Sequence, residues 1–357
     1  MSSVPGTSRI QGPETEEVKA WHPGQIWQPP SKGQRWLDIL FRHLCIAFAA
    51  LTVVLIVFLV IEIGAKAIPA FREHGLAFIY GRIWDPNKEV FGILPEIWGT
   101  LYTSLLALFF GSLFGVAAAI FLSEGYMSEG IFKILKMFDL QFRPYWGKLP
   151  ERMESLLKNM IELLAAVPSV VYGLWGLFVV IPLIRPPANW LHAQFGWFPL
   201  FSTDLSGPGI LPAVLVLSIM ILPTITTISR DALVSVPPKL RMAAYGLGAT
   251  RWETILGVLL PTASRGIFGG IVLAFGRALG ETMALAMLVG NANRLTVSLF
   301  SPANTLAALL ANSFPEAGAR EIPVLMYAAL VLLAITLIVN IFGALILERA
   351  AAKAEAK

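Results

Sequence analysis

Long uncharged apolar runs alternate with shorter polar segments along most of this chain. A helix needs about 20 predominantly apolar residues to cross the hydrocarbon core of a membrane. Six runs are long and apolar enough, and they cover residues 44–61, 97–123, 163–184, 205–229, 266–289 and 322–347. Runs of this length are typical of membrane-spanning helices rather than of barrel strands. The pattern therefore predicts an all-α integral membrane protein with six transmembrane helices.

The polar segments predict how the chain is organised around these helices. Residues 1–43 are polar and contain several prolines and glycines, without the early apolar run of a signal peptide. We expect a largely unstructured cytoplasmic tail there, then a six-helix domain over residues 44–347 and a cytoplasmic tail over residues 348–357. The six-helix domain carries two large polar segments, a cytoplasmic insertion at residues 124–158 and a loop at residues 230–265.

Part of the first insertion has a helical pattern of its own. Residues 130–139 carry apolar side chains at helical spacing among charged ones. This pattern predicts a helix that lies on a surface or against a partner. A solvated cytoplasmic insertion explains the same residues, and the sequence leaves both interpretations open.

Lysines and arginines are distributed unevenly between the two sets of loops. With the N-terminus inside, the cytoplasmic segments hold nineteen of these residues and the external loops hold seven. Cytoplasmic loops of membrane proteins carry an excess of lysine and arginine. We therefore expect both termini to lie in the cytoplasm.

Composition agrees with a membrane protein and excludes several other classes. The 357 residues are 56% hydrophobic and only 14% charged, with a mean hydropathy of +0.70. Soluble domains are about 45–50% apolar and about 25% charged, so these few charges cannot cover a water-soluble surface. A single cysteine, Cys45, excludes a disulfide-stapled domain. The net charge of +4 is explained better by basic cytoplasmic loops than by nucleic-acid binding.

Two charged residues, Arg277 and Glu281, lie inside the fifth predicted span. Four residues apart on one helix, they would share a face and could form an ion pair. Arg277 follows Arg265 by twelve residues, which places it about 18 Å along the helix. A charge near the bilayer centre costs at least about 2.5–3.5 kcal/mol. Either this pair fixes the rotation of a buried helix, or Arg277 meets an anion in a pathway and Glu281 orients it.

Hydroxyl side chains in the spans are further candidates to line such a pathway. Thr100 and Ser104 lie in the second span, and Thr282 follows Glu281 in the fifth. Each hydroxyl taken alone is more often bonded to the backbone than to a substrate. Three prolines are expected to kink or break the third and fourth spans: Pro168, Pro212 and Pro223. Glycine pairs at a four-residue spacing allow close helix packing: Gly111 and Gly115, Gly266 and Gly270, and Gly276 and Gly280.

The sequence contains no catalytic set of its own. A phosphate-binding loop of the type GxxxxGK[ST] is absent, and Arg251 stands where a dinucleotide fingerprint beginning at Gly246 would need glycine. Four scattered histidines and one cysteine do not have metal-ligand spacing. We therefore expect a chain that is not an enzyme and binds no metal or cofactor. Uphill transport would draw its energy from an ion gradient or from a separate ATPase.

The loop between the fourth and fifth spans identifies a family. It resembles the coupling-loop signature of the permeases of ABC importers, in which Glu-Ala-Ala precedes a glycine and then Ile-x-Leu-Pro. The positions that match are Ala243, Ala244, Gly248, Leu260 and Pro261. Met242 stands in place of the usual glutamate, and Val258 in place of the usual isoleucine. Two short helices joined at a glycine would form a rigid knob, with Tyr245, Arg251 and Trp252 as anchors against the ATPase.

Longer runs are similar to the PstC family of phosphate-specific permease subunits. They occur at residues 162–173, 248–253 and 276–284, and the similarity extends over about residues 90–347. The resemblance implies the helix arrangement of a type I ABC importer permease in a bacterial cytoplasmic membrane. It also implies that Arg277 and Glu281 serve phosphate passage.

The same resemblance implies a set of partners. These are a PstA-like second permease subunit, a PstB-like ATPase pair that binds ATP and magnesium, and a PstS-like periplasmic phosphate-binding protein. ATP-driven closure of the ATPases would push on the coupling loop and switch the path near Arg277 between the two sides. Two alternatives remain, an ABC permease for sulfate or molybdate and an ion-driven secondary anion transporter. The second is disfavoured because the sequence shows no convincing internal repeat.

Overall fold

The computed structural model describes residues 31–126 and 149–355. Within these residues it has ten helices of six residues or more: α1 Lys32–His74, α2 Leu94–Ser123, α3 Leu149–Ala166, α4 Ser169–Phe195, α5 Ile210–Val234, α6 Pro238–Gly246, α7 Arg251–Leu279, α8 Met283–Leu288, α9 Leu306–Ser313 and α10 Glu321–Glu355. Shorter helical turns occur at Ala77–Tyr80, Pro86–Lys88, Pro199–Phe201 and Phe314–Glu316. The described residues form no strand, only an isolated bridge between Asp85 and Val90.

Six of these helices are long and apolar enough to cross a membrane, namely α1, α2, α4, α5, α7 and α10. The prediction of an all-α membrane protein with six spans is therefore confirmed. A turn of π-helix interrupts α4 at Gly176–Val180 and α7 at Ile255–Leu259. The predicted helix at residues 130–139 and the first thirty residues of the tail lie outside the described part of the chain.

The chain divides into two compact units, of which the first ends at Leu59. Its described part is the first half of α1, whose apolar side chains are exposed around the helix. A capping box begins this helix: Ser31 N–H donates to Gln34 Oε1 at 2.9 Å, and Gln34 N–H donates to Ser31 Oγ at 3.3 Å. The helix thus starts two residues after Pro30 in the sequence. The expectation of an unstructured tail up to residue 43 was wrong for residues 32–43.

Helix α5 lies at the centre of the second unit, which begins at Val60. Fully buried side chains along it, including Leu217, Ile221 and Ile225, form the core with α2, α7 and α8. A Cβ on Gly111 of α2 would lie 2.8 Å from Ile221 Cδ1, and one on Gly115 would lie 2.9 Å from Ile225 Cγ2. Glycine is therefore required where α2 crosses α5, because any side chain there would overlap an isoleucine.

Helix α7 packs between α5 and α10, and glycines again lie at the contacts. A Cβ on Gly266 would lie 2.4 Å from Ala232 Cβ of α5, and one on Gly276 would lie 2.9 Å from Asn340 Oδ1 of α10. Gly343 of α10 faces Val272 of α7 in turn. Close packing on both sides makes α7 a central helix of this unit.

Two predicted spans are built differently from the expectation. The third was expected to begin at residue 163, but α3 ends at Ala166 and α4 starts at Ser169, because Pro168 cannot continue the helix. The fifth was expected to run to residue 289 as one helix, but α7 ends at Leu279 and α8 is a separate helix. Pro223 does not interrupt the fourth span, since α5 continues through it.

Between α8 and α9, residues 289–305 form a segment without helix or strand. Its carbonyl groups accept hydrogen bonds from the first N–H groups of α5, Ile210 N–H to Ser301 at 3.1 Å and Leu211 N–H to Leu299 at 2.7 Å. These donors have no partner inside their own helix, so the segment completes the end of α5. It also folds back on itself through Ala303 N–H, which donates to Val289 at 2.9 Å.

Candidate translocation site and coupling loop

Arg277 lies in the last turn of α7, and its side chain is exposed. Its guanidinium lies 3.4 Å from Thr224 Oγ1 of α5, to which it donates. A guanidinium carries several N–H donors, so the contact with Thr224 leaves others of this exposed group available for an anion.

Glu281 does not occupy the position that the sequence predicted. Because α7 ends at Leu279 and Gly280 leaves the helical conformation, Arg277 and Glu281 do not share a helix face. Among the described residues, Glu281 makes no ion pair within 4.0 Å. Its Oε1 instead accepts from Ala284 N–H at 3.4 Å, in the first turn of α8. The expected helical ion pair was wrong, and Glu281 is instead bonded to the backbone of the short helix that follows the break.

Thr282 lies in the same break. Its hydroxyl donates to the Gly280 carbonyl at 3.1 Å, and the side chain is half-buried. This bond ties the break to the end of α7 rather than leaving the hydroxyl free. The break therefore brings Arg277, Glu281 and Thr282 into one short stretch of chain, although in different roles.

Thr100 and Ser104 are fully buried in α2, unlike the exposed Arg277. Thr100 Oγ1 donates to the Glu96 carbonyl at 2.7 Å and accepts from Leu306 N–H at 2.9 Å. Its hydroxyl thus holds the first N–H of α9. Ser104 Oγ has no partner among the described residues. In this conformation both hydroxyls are buried, and their part in a pathway stays a prediction.

Two carboxylates that sequence reasoning treated only as span boundaries are buried. Glu96, in the first turn of α2, has neither side-chain oxygen bonded within the described part of the chain. Glu124 follows the last residue of α2 and is described below with its partners. The signal available in the sequence was an isolated acid directly next to a long apolar run.

The loop predicted to couple to an ATPase contains two helical elements, the short helix α6 and the first turn of α7. Helix α6 ends at Gly246, Gly248 has a φ of +85°, and α7 begins at Arg251. A capping box begins α7, since Thr250 N–H donates to Glu253 Oε2 at 2.7 Å and Glu253 N–H donates to Thr250 Oγ1 at 3.3 Å. A side chain at position 248 would be strained by the positive φ. The matched glycine is therefore the junction between the two elements, in a backbone conformation that favours glycine.

Several residues of this loop have apolar side chains that are exposed. Leu247 is 90% exposed and Trp252 58% exposed, and Met242 and Tyr245 are exposed as well. The other predicted coupling residues differ: Ala243, Gly248 and Pro261 are exposed, Leu260 is half-buried and Ala244 is buried. Leu247 was not selected from the sequence, because a leucine there is not part of the family signature.

Arg251, predicted as an anchor for the ATPase, is engaged within the chain. Its Nε lies 3.8 Å from Glu124 Oε2, and its guanidinium also donates to the Glu124 carbonyl. Arg241 of α6 places Nη2 2.9 Å from Glu124 Oε1. The Glu124 side chain is only 2% exposed, while the two arginines are about one-third exposed or slightly less. One buried carboxylate therefore joins both elements of the loop to the end of α2.

A comparison with protein families finds one match that covers more than half of the chain. Residues 145–351 match the family described as "Binding-protein-dependent transport system inner membrane component". The matched region contains α3 to α9, the coupling loop and Arg277, and ends within α10. It is the part of the chain in which the candidate site lies.

Curated relatives extend the similarity over most of the chain. "Phosphate transport system permease protein PstC" of Haemophilus influenzae is 37% identical over 321 residues, which cover 88% of this chain and 95% of that protein. "Probable phosphate transport system permease protein PstC" of Methanocaldococcus jannaschii is 34% identical over 85% of this chain and 92% of that protein.

Among solved structures, a chain of a bacterial alginate ABC transporter, in complex with an alginate-bound periplasmic protein, has a TM-score of 0.54. It is 16% identical to this chain and covers 86% of it. This likeness concerns the fold.

Proposed function

This chain belongs to the family of binding-protein-dependent transport system inner membrane components, and we propose that it is the permease subunit of an ATP-driven importer of inorganic phosphate. It is a multi-pass protein of the inner membrane, with six apolar helices. The similarity to permeases named for phosphate transport supports the substrate. One structural observation carries the proposal, the exposed Arg277 at the end of a central helix.

The chemistry of Arg277 fits a phosphate anion. A guanidinium remains charged at any physiological pH and can donate two parallel hydrogen bonds to neighbouring phosphate oxygens. Thr224 lies 3.4 Å away and can share in such a contact, because a hydroxyl both donates and accepts. Glu281, bonded to the backbone nearby, places a negative charge in the same stretch of chain. That charge would prevent Arg277 from holding phosphate too tightly for release.

The coupling loop supports a separate ATPase as the source of energy. Its exposed leucine, methionine and aromatic side chains form an apolar surface on a short, capped knob. Aromatic and methionine side chains are enriched at protein interfaces. We infer that this chain is a non-catalytic subunit and that the partner hydrolyses the ATP. ATP and magnesium are bound by a PstB-like ATPase pair beneath the loop.

The remaining partners follow from the same proposal. A PstA-like permease subunit completes the translocation path, and a PstS-like periplasmic protein delivers phosphate on the outside. Both termini lie in the cytoplasm, as the bias of lysine and arginine predicts. The ATPase pair closes on binding ATP and displaces the coupling loops. The two permease subunits then rotate, and Arg277 becomes accessible from the other side of the membrane.

Uptake of radiolabelled phosphate at low micromolar concentration tests the proposal. Cells that lack this chain and then regain it are compared, with sulfate and molybdate measured in parallel and ATP depleted in one sample. We expect ATP-dependent restoration of phosphate uptake alone. Restored sulfate or molybdate uptake would overturn the substrate, and uptake that follows an ion gradient after ATP loss would overturn the mechanism.

A further inference from the structure

We propose that Glu124 is a positioning residue for coupling: its carboxylate ties both elements of the coupling loop to α2, so that the loop and this helix move together. The proposal rests on the proposed function, because it concerns how motion at the ATPase reaches the permease. The Glu124 clamp is defined here as Glu124 with Arg241 and Arg251. It is held by two ion pairs and by a hydrogen bond to the Glu124 backbone.

Each element of the loop contributes one arginine to the clamp. Arg241 comes from the middle of α6, and Arg251 is the first residue of α7. Between them, Gly248 joins the two elements with a φ of +85°. The Glu124 carboxylate lies 2.9 Å from Arg241 Nη2, and Arg251 is held by the Glu124 carbonyl and by a longer contact of its Nε with the same carboxylate, at 3.8 Å. Both elements are therefore fixed to the end of α2, one on each side of Gly248.

The negative charge of Glu124 allows Arg241 and Arg251 to lie close to the same side chain. Arg241 and Arg251 bring two positive charges to one side chain that is only 2% exposed. Without the negative charge the two guanidinium groups would repel each other at short range. Removing one partner of a buried pair leaves the others uncompensated, which is far more costly than losing a surface ion pair. Arg251 is held further by stacking 4.2 Å from the Tyr126 ring centre.

Helix α2 can carry a displacement from the clamp to its other end. It runs without interruption from Leu94 to Ser123 and is pressed against α5 at two glycines. Near its first turn, Trp98 Nε1 donates to the Thr296 carbonyl and Tyr102 Oη to the Val297 carbonyl, both at 2.8 Å. The helix therefore joins the coupling loop directly to the 289–305 segment.

The first experiment compares two glutamate variants of the whole transporter in proteoliposomes. Glu124→Gln keeps the shape of the side chain and removes its charge. Glu89→Gln is the matched control, because it removes the same charge from an ion pair with Arg320 in which both side chains are exposed. We expect Glu124→Gln to lower phosphate uptake per ATP hydrolysed by about tenfold or more. Glu89→Gln should leave this ratio as in the wild type.

An unchanged ratio of phosphate uptake to ATP hydrolysis in Glu124→Gln would overturn the clamp, including the case in which both rates fall in parallel. A second variant excludes simple misfolding. Glu124→Cys combined with Arg241→Cys, in a Cys45→Ser background, can be joined by a short bifunctional methanethiosulfonate linker that reductant cleaves. The linked protein should regain coupling and lose it again on reduction. A linked protein that stays uncoupled would contradict the mechanical role.

A readout without transport separates this proposal from the proposed function. Hydrogen exchange of the backbone amides of α6 should become about tenfold or more faster in Glu124→Gln than in Glu89→Gln. Unchanged exchange would overturn the clamp whatever the substrate. If the wild-type transporter takes up no phosphate, the proposed function fails, while exchange at α6 still decides the clamp.

Discussion

At the scale of single residues, the charge of Arg277 could be recognised from the sequence but its surroundings could not. An arginine inside an apolar run is costly and therefore marks a functional position. Its contact with Thr224 joins residues 53 positions apart, which no local pattern records. The prediction for Glu281 failed for a related reason. The run from Gly276 to Ala284 looks like continuous helix, and its interruption after Leu279 is visible only in the folded chain.

Substitutions at Arg277 test its direct contact with the anion. We expect Arg277→Ala to reduce phosphate uptake by about a hundredfold or more, because each hydrogen bond between a guanidinium and a charged phosphate oxygen contributes about 1.5–3 kcal/mol. Arg277→Lys should retain part of the activity, since the charge stays but the paired donors are lost. Thr224→Val should have a smaller effect, of about tenfold or less. Uptake kinetics in cells with matched protein levels measure all three, and wild-type uptake by Arg277→Ala would exclude the role.

Thr100 separates a structural role from a pathway role. Its hydroxyl accepts from Leu306 N–H in a fully buried place, so Thr100→Val leaves that donor unpaired. We expect Thr100→Val to lower the free energy of unfolding by about 1–3 kcal/mol, whereas Thr100→Ser keeps the bond and stays close to the wild type. Thermal unfolding in detergent measures the difference. A stable Thr100→Val variant with a raised KM for phosphate would support the pathway role instead.

At the scale of helices, the apolar pattern predicted the number of spans well and their ends poorly. The number follows from hydropathy, which depends on local composition. The ends depend on caps, and the box formed by Ser31 and Gln34 is a signal that the sequence contains in plain form. The break at Pro168 was also predictable. The glycine pairs indicated close packing, but which helix each would meet depends on the three-dimensional arrangement.

Packing between α2 and α5 can be tested at one glycine. A Cβ on Gly115 would lie 2.9 Å from Ile225 Cγ2, so we expect Gly115→Val to lower the free energy of unfolding by about 1–3 kcal/mol. Adding Ile225→Ala should recover part of this loss by making room. Gly64→Ala is the matched control, since no atom lies within 4 Å of its added Cβ. Thermal unfolding of the three variants measures these differences. Equal stability of Gly115→Val and Gly64→Ala would contradict close packing between α2 and α5.

At the scale of the whole molecule, residues that function together come from distant parts of the sequence. The coupling loop was identified from its family signature, and two short helices joined at a glycine into a rigid knob were expected. That Arg251 would bind Glu124 was not, because 127 positions separate them. The anchor assigned to the ATPase is thereby bound inside the chain. The contact with the ATPase must then depend more on the exposed apolar residues of the loop.

The ATPase contact is therefore expected to depend on Leu247 and Trp252, the first 90% and the second 58% exposed. A hot-spot side chain contributes about 2 kcal/mol or more, so Leu247→Asp and Trp252→Ala should each reduce ATPase co-purification in mild detergent by about thirtyfold. Trp197→Ala is the matched control, because Trp197 is 80% exposed but follows α4, away from the coupling loop in the sequence. It should leave the amount of bound ATPase unchanged. Wild-type recovery of ATPase by both loop variants would show that Leu247 and Trp252 do not form the contact.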